Sequence, residues 1–289
     1  MADKAQIALL EDGRRLHLHH GPIDIIALAE VEAAEVEAAY AQAGKRFASI
    51  LDELVAELPR LRRPIDAARP LLKGSVARRM ASAVWPHRAA FVTPMAAVAG
   101  AVADEVLAAL TEGRDVTRVY VNNGGDIAFH LAPGQSFDAG IVDDADAPAL
   151  DARVRLSHAM PVRGLATSGW RGRSHSLGVA DAVTVLARCA AEADAAATLI
   201  ANAVDVDHPA ITRVPANSLS DDSDLGDLPV TVAVGELPAR AVERALAAGL
   251  ARADAMQAEG LIFAAYLSLR GRVETAGGEA RLRAAGSAA

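Results

Sequence analysis

Cysteine is all but missing: Cys189 is the only one in 289 residues. A lone thiol builds neither a disulfide framework nor a Cys-based zinc site. Within its apolar stretch it reads as a small buried hydrophobe. Aromatics are scarce too, at 3% of residues, so the core must rely on close helix–helix and helix–sheet contact rather than on ring stacking. Positive charge is in the minority: 29 Lys and Arg against 37 Asp and Glu leave a formal net charge of −8. That argues against a nucleic-acid surface, which wants clustered Lys and Arg. The short basic stretch RLRRPIDAARP, followed by Arg78 and Arg79, reads as a solvated face first and an anion site second. No uninterrupted apolar run reaches the length of a membrane helix. The N-terminal apolar run is too short and too broken by charge for a signal peptide. The expectation is a cytoplasmic protein whose partners include neither membrane nor nucleic acid.

Apolar residues are plentiful, at 52%, with alanine supplying much of the total. QIALLEDGRRLHLHHGPIDIIAL reads as a hairpin turning at Asp12-Gly13. His17 and His19 share one face of its second run, with no carboxylate near them in the pattern, and read as strand surface. Residues 31–61 recur at helical spacing, with Pro59 and Pro64 at the end. FVTPMAAVAGAVADEVLAALTEG predicts a slim helix from Pro94 to Gly113, able to lie very close to a neighbour or a ligand. Further strands and helices follow in runs, an α+β layout rather than a strict alternation. PANSLSDDSDLGD reads as a mobile acidic loop.

Three segments carry chemistry. VYVNNGGDIAFHL is a strand interrupted by Asn122, Asn123, Gly124, Gly125 and Asp126. Paired glycines let a backbone turn without Cβ clashes and expose N–H groups, and Asp126 adds an acceptor. GLATSGWRGRSHSLG gathers Thr167, Ser168, Gly169, Arg171, Arg173 and His175. Hydroxyls, guanidiniums and glycines together suit an anion, and His175 has the titration range of an acid or base. In AEADAAATLIANAV, Asp194 and Thr198 stand four apart on one helix face, with Asn202 a turn further on. Carboxylate and hydroxyl make an oxygen site of the kind magnesium prefers, or a hydrogen bond that braces the helix.

Taken in order, NNGGDI, LATSG and ADAAAT resemble the ApbE superfamily, known for FAD:protein FMN transferases. More closely, GPI, TPMAAVAGAVAD, ATSGWRGRSHSLGVADAVTV and ADAAATLIANAV resemble its UPF0280 branch, over most of residues 20–270. The resemblance implies an ApbE-like α+β fold over residues 1–272, built of two intertwined subdomains whose mixed or antiparallel sheets are flanked by Ala-rich helices. Residues 273–289 would form a flexible tail. It implies Mg2+ and FAD as cofactors. Asn123, Gly124, Gly125 and Asp126 would face the flavin, and Thr167, Ser168 and Gly169 the nucleotide, with Arg171 and Arg173 on phosphates. Asp194, Thr198 and the backbone carbonyl of Phe129 would hold the metal, and His175 would move a proton. Two departures stand out: the family's ring-gripping serine-rich segment is absent, and no Asp-Pro pair follows His175. The functions open on these grounds are FMN transfer from FAD, hydrolysis of the FAD pyrophosphate, non-catalytic binding of a flavin or small anionic ligand, or chemistry on an unrelated metabolite in a rebuilt pocket. The Ala-rich faces also suit a homodimer.

Overall fold

The computed structural model describes residues 4–31, 33–141, 152–277 and 283–284. In chain order its elements are β1 (Gln6–Leu9), β2 (Leu16–His20), β3 (Ile23–Glu30), α1 (Ala33–Leu61), α2 (Ser75–Val84), α3 (Val98–Thr111), β4 (Arg118–Asn123), β5 (Asp126–Leu131), β6 (Ser136–Ile141), β7 (Ala152–Ser157), β8 (Gly164–Ser168), β9 (Ala182–Ala187), α4 (Ala190–Ala203), β10 (Ile211–Pro215), β11 (Pro229–Val234), α5 (Ala239–Ala258), β12 (Ala264–Leu269), β13 (Arg272–Ala276) and β14 (Arg283–Ala284). They form two compact units that interleave along the chain. The first comprises Met1–Phe137, Ser157–Ala166 and Arg188–Asp194; the second comprises Asp138–Leu156, Thr167–Ala187 and Ala195–Ala289.

In the first unit, β1 to β5 pair in sequence order, every neighbour antiparallel. The first residues of β8 join β5 at Ile127–Leu165. β2, β3 and β4 alternate buried and part-exposed residues, as strands with one covered face must. The expected hairpin is thus the start of a meander, with a second turn at Gly21-Pro22 leading into β3. That turn brings Asp24 to the part-exposed histidines: His17 Nε2 lies 2.6 Å from Asp24 Oδ1, so a carboxylate does stand beside them. Periodicity within one strand could not reveal a partner on the next.

The slim helix begins with a 3₁₀ turn, Pro94–Ala97, capped by the Thr93 hydroxyl, which accepts from Met95 N. α3 then packs on α1, α2, β4 and β5, burying Val102, Val106 and Leu110 completely. Such full burial contributes roughly 1.5–3 kcal/mol per side chain. Pro94–Thr111 is long and apolar enough, by length and composition, to cross a membrane, yet 56% of it is buried inside the protein. Its Asp104 and Glu105 both have protein partners. α2 was not foreseen. It is stitched in by Glu105, which accepts from Arg46 Nε at 2.9 Å and from the Ser75 hydroxyl at 2.5 Å, and by Glu57, which accepts from the backbone N–H groups of Lys73 and Gly74.

In the second unit β9, β12 and β13 form an antiparallel set, with β9 and β12 buried along their whole length. α5 covers β12 and β13. β10 pairs with β11, and β6, β7 and β14 make a three-stranded sheet. The acidic loop between β10 and β11 is held by a 3₁₀ turn, Ala216–Ser218, and by Asn217 Nδ2 donating to Asp227 Oδ1 at 2.6 Å. The architecture is α+β with antiparallel sheets. Of the expected tail, only residues 273–277 and 283–284 are described, and the rest lies outside.

Candidate functional site

The NNGGD segment is a two-residue hairpin turn. Asn123 faces Asp126 across it, and Gly124 and Gly125 take φ of 66° and 109°. The 109° at Gly125 suits only glycine, and a turn with both φ values positive matches the twist of the flanking strands. The Asn122 side chain accepts from Gly125 N at 2.8 Å, locking the turn. A Cβ placed at Gly125 would meet nothing within 4 Å, so the tip is open. Asn123 and Asp126 at its base are buried, and Asn123 Nδ2 donates to the Ala99 carbonyl at 3.0 Å. Phe129 lies deeper in β5 and is buried, its ring edge-on to the part-exposed Phe137.

The neighbouring amide completes the arrangement. Asp194, on α4, accepts from Gly100 N at 2.9 Å and from the Ala99 N–H. The hairpin base and the Asp194 carboxyl therefore meet on the same first turn of α3. Asp104 of α3 returns the contact, accepting from Ala190 N at 3.0 Å and Ala191 N at 2.9 Å. Each helix thus closes the free N–H groups at the start of the other. The crossing is tight enough that a Cβ on Gly100 would stand 2.3 Å from the Ala190 carbonyl oxygen. Burial pushes the Asp194 carboxyl up to about 7 against the opposing pull of the two amides, and the Asp104 charge adds to the rise. Burial raises Asp104 as well. Asp194 as a whole residue is only part-buried, so some of that desolvation is relieved by solvent.

Thr198 follows Asp194 by one turn of α4. Asn202, a turn further, accepts from Leu177 N at 2.9 Å and Ser176 Oγ at 3.2 Å, so its carbonyl is committed to the loop before β9. In the second unit that loop is tied at both ends. Gly169 has no room for a Cβ, which would sit 2.3 Å from Asp181 O. Asp181 also accepts from Trp170 Nε1 at 3.1 Å and Arg171 Nε at 3.4 Å. At the far end Gly178 lies against Ala201 O. Between the ties, Arg171, Arg173 and His175 are exposed. Thr167 pairs its hydroxyl with that of Thr184 at 2.8 Å, and Ser168 is part-exposed.

The expected residues thus fall into two groups. Asn123, Gly124, Gly125, Asp126, Phe129 and Asp194 belong to the first unit. Thr167, Ser168, Gly169, Arg171, Arg173, His175 and Thr198 belong to the second. A cleft of about 820 Å³ in the first unit, lined by Glu30, Glu35, Asp115 and Thr117 among others, lies elsewhere. It opens at the Glu30–Arg118 end of β3 and β4, opposite the Ile25–Asn123 end. Gly100 fits the expected slim helix, whereas Asp104 and Asp181 were not anticipated. The signal for Asp104 was there: a carboxylate inside an otherwise apolar helix needs a buried partner.

A family model described as AbpE bacteria matches residues 7–275. The chain belongs to this family. Among curated proteins it resembles UPF0280 proteins of methanogens. That of Methanopyrus kandleri is 38% identical over 192 residues, covering 65% of this chain and 73% of the relative. That of Methanoregula boonei is 34% identical over 185 residues, covering 56% and 75%. Two solved structures span nearly the whole chain at low identity. The apo flavinyl transferase ApbE of Pseudomonas stutzeri is 14% identical, with 96% of this chain and 95% of that one covered at a TM-score of 0.39. A mutant flavin transferase ApbE from Vibrio cholerae is 12% identical, with 98% and 97% covered at 0.47.

Proposed function

We propose that this family member binds a flavin nucleotide with a divalent cation and acts at its pyrophosphate, by FMN transfer to an acceptor hydroxyl or by hydrolysis. The observation that carries this is the part-buried Asp194 carboxyl, held at the same turn of α3 as the open glycine hairpin. Asp126 would accept from a ring N–H, and Gly124 and Gly125 would let a flat ring approach the backbone.

The donor set suits a hard cation in kind: Asp194 carboxylate, Thr198 hydroxyl and the Phe129 carbonyl are all oxygens. A carboxyl raised by burial also gains most from a nearby positive charge. It is modest in number. Asp194 Oδ2 already has a backbone partner, and among the described residues no three of His, Cys, Asp and Glu gather as a metal group. Magnesium is commonly held by one or two carboxylates plus substrate phosphates, so binding is expected with the nucleotide and only weakly without it. A magnesium ion there would neutralise pyrophosphate charge and polarise the phosphoryl group. The loop of the second unit, taken by itself, is an anion-binding segment: Arg171 and Arg173 for phosphate, Thr167, Ser168 and Gly169 beside it, and His175 as proton carrier.

A second possibility has its own support. A carboxylate that closes a helix N-terminus has a structural task without any ligand, which fits a non-catalytic flavin or anion binder, or an enzyme on another metabolite. The test is FAD with magnesium, reading FMN and AMP release by chromatography. Loss of release in Thr198→Val and Asp194→Asn, with helical content unchanged, supports the transferase or hydrolase. FAD retained without turnover supports the binder, and no flavin interaction overturns the proposal.

A further inference from the structure

β1 is the outermost strand of its sheet. Among the described residues it pairs with β2 alone, and all four of its residues are exposed. Ile7 stands opposite Leu18 and Leu9 opposite Leu16, and directly opposed residues share a face. Leu16 and Leu18 are buried, so Ile7 and Leu9 belong to the core-facing layer, yet they remain 47% and 54% exposed. The apolar layer runs one strand past its cover. Ile7 rests against α1 at Gly44. Ala48 and Val55, on the same helical stripe as Gly44, are exposed as well.

The outer edge is also ready to bond. Leu10 N donates to Arg15 O at 2.8 Å. In an antiparallel ladder the bonding direction alternates, so the even-numbered residues of β1 turn their backbone groups to β2. Ile7 and Leu9 turn theirs outward. No proline, charge or bulge within Gln6–Leu9 blunts this edge, which is how proteins usually protect one.

We infer that the chain forms a two-fold homodimer by antiparallel pairing of β1 with β1 of a second copy, with Ala8 facing its own counterpart. A symmetric antiparallel pair must centre on a residue opposite itself. Centring on Ala8 sets Ile7 against Leu9 of the second copy, and Leu9 against its Ile7, with four backbone hydrogen bonds between outward-turned groups. It also brings Lys4 to the acidic Glu11-Asp12 pair of the other copy. Centring on Ile7 would oppose Lys4 to Leu10 and lose the Ile–Leu pairing. Apolar and charged groups therefore match a copy of the same strand. A short strand pair buries less than the roughly 1,200 Å² of a stable interface. Ala48 and Val55 continue the apolar surface, and the dimer is expected to dissociate on dilution.

The test uses the full chain in a Cys189→Ala background. Under mild oxidation Ala8→Cys should give a disulfide-linked dimer, whereas Gln6→Cys, opposite Leu10 of the second copy, should not. By sedimentation the wild type should exceed the 29.9 kDa monomer mass at high concentration. Leu9→Lys and Lys4→Glu should shift it to monomer with unchanged circular dichroism. A wild type that stays monomeric at its highest soluble concentration, a dimer that survives Leu9→Lys, or equal crosslinking at positions 6 and 8 overturns the inference.

Discussion

Replacing Gly100 by alanine tests the α3–α4 crossing because two effects of opposite sign compete. In an uncrowded helix interior, Gly→Ala stabilises by about 1 kcal/mol. Here the new Cβ would sit 2.3 Å from Ala190 O, 2.5 Å from Ala190 C and 2.8 Å from Ala191 N, all backbone. No side chain can swing aside, so the helices must part. Parting stretches the bonds from Ala190 and Ala191 N–H to Asp104 and from Gly100 N–H to Asp194. Overpacking costs about 1–3 kcal/mol, and each lost cap about 1 kcal/mol. Net of the propensity gain, Gly100→Ala should destabilise by roughly 2–4 kcal/mol. Urea unfolding followed by circular dichroism reads this as a lower midpoint. Asp104→Asn should then cost less in the Gly100→Ala background than in the wild type, because the cap it removes is already loosened. A midpoint that is unchanged or raised would show that the helices do not touch at Gly100, and the reciprocal capping would fall with it.

Other outcomes are equally direct. Burial alone would raise the Glu105 carboxyl, but Ser75, Arg46 and Arg79 outweigh it and hold it below its usual 4.5. Its stabilisation is present above the unfolded value and lost as pH falls through the folded one. Glu105→Gln should therefore flatten the acid side of the stability profile below pH 4.5, and an unaltered profile would count against the network. Cys189 is part-buried rather than the fully buried hydrophobe its apolar stretch suggests; burial still pushes its thiol up to about 12, so a thiol reagent at neutral pH should label it more slowly in the native protein than in urea, and equal rates would refute that shielding. Gly169→Ala, forced against Asp181 O at 2.3 Å, should loosen the 170–175 loop and raise its proteolysis; wild-type protection would mean the tie is not at Gly169.

Much of the architecture was legible because it is local. The Gly124-Gly125 turn follows from two adjacent glycines between strand-like runs, and their positive φ values show why glycine stands there. The long first helix and the small-residue α3 follow from periodicity. α2 escaped notice because its arginines suggested a solvated face. Its attachment depends on Glu105 and Glu57, which sit on other helices. His17 and His19 lacked a visible carboxylate for the same reason, since Asp24 reaches them across a strand pair. At the candidate site, Asp194 was singled out by its spacing from Thr198. Its bond to an amide 94 residues away was not readable from spacing.

The sequence by itself determined which residues turn, which repeat at helical spacing and which segments concentrate polar chemistry, since those properties depend on a residue and its near neighbours. Only the tertiary structure decided that Asp104 and Asp194 would cap each other's helices, that Gly100 would leave room for the crossing, and that Asn123 would meet the same turn. Those outcomes depend on approach distances of a few ångströms between segments remote in the chain, and an interaction that decays over such lengths leaves no mark on sequence order.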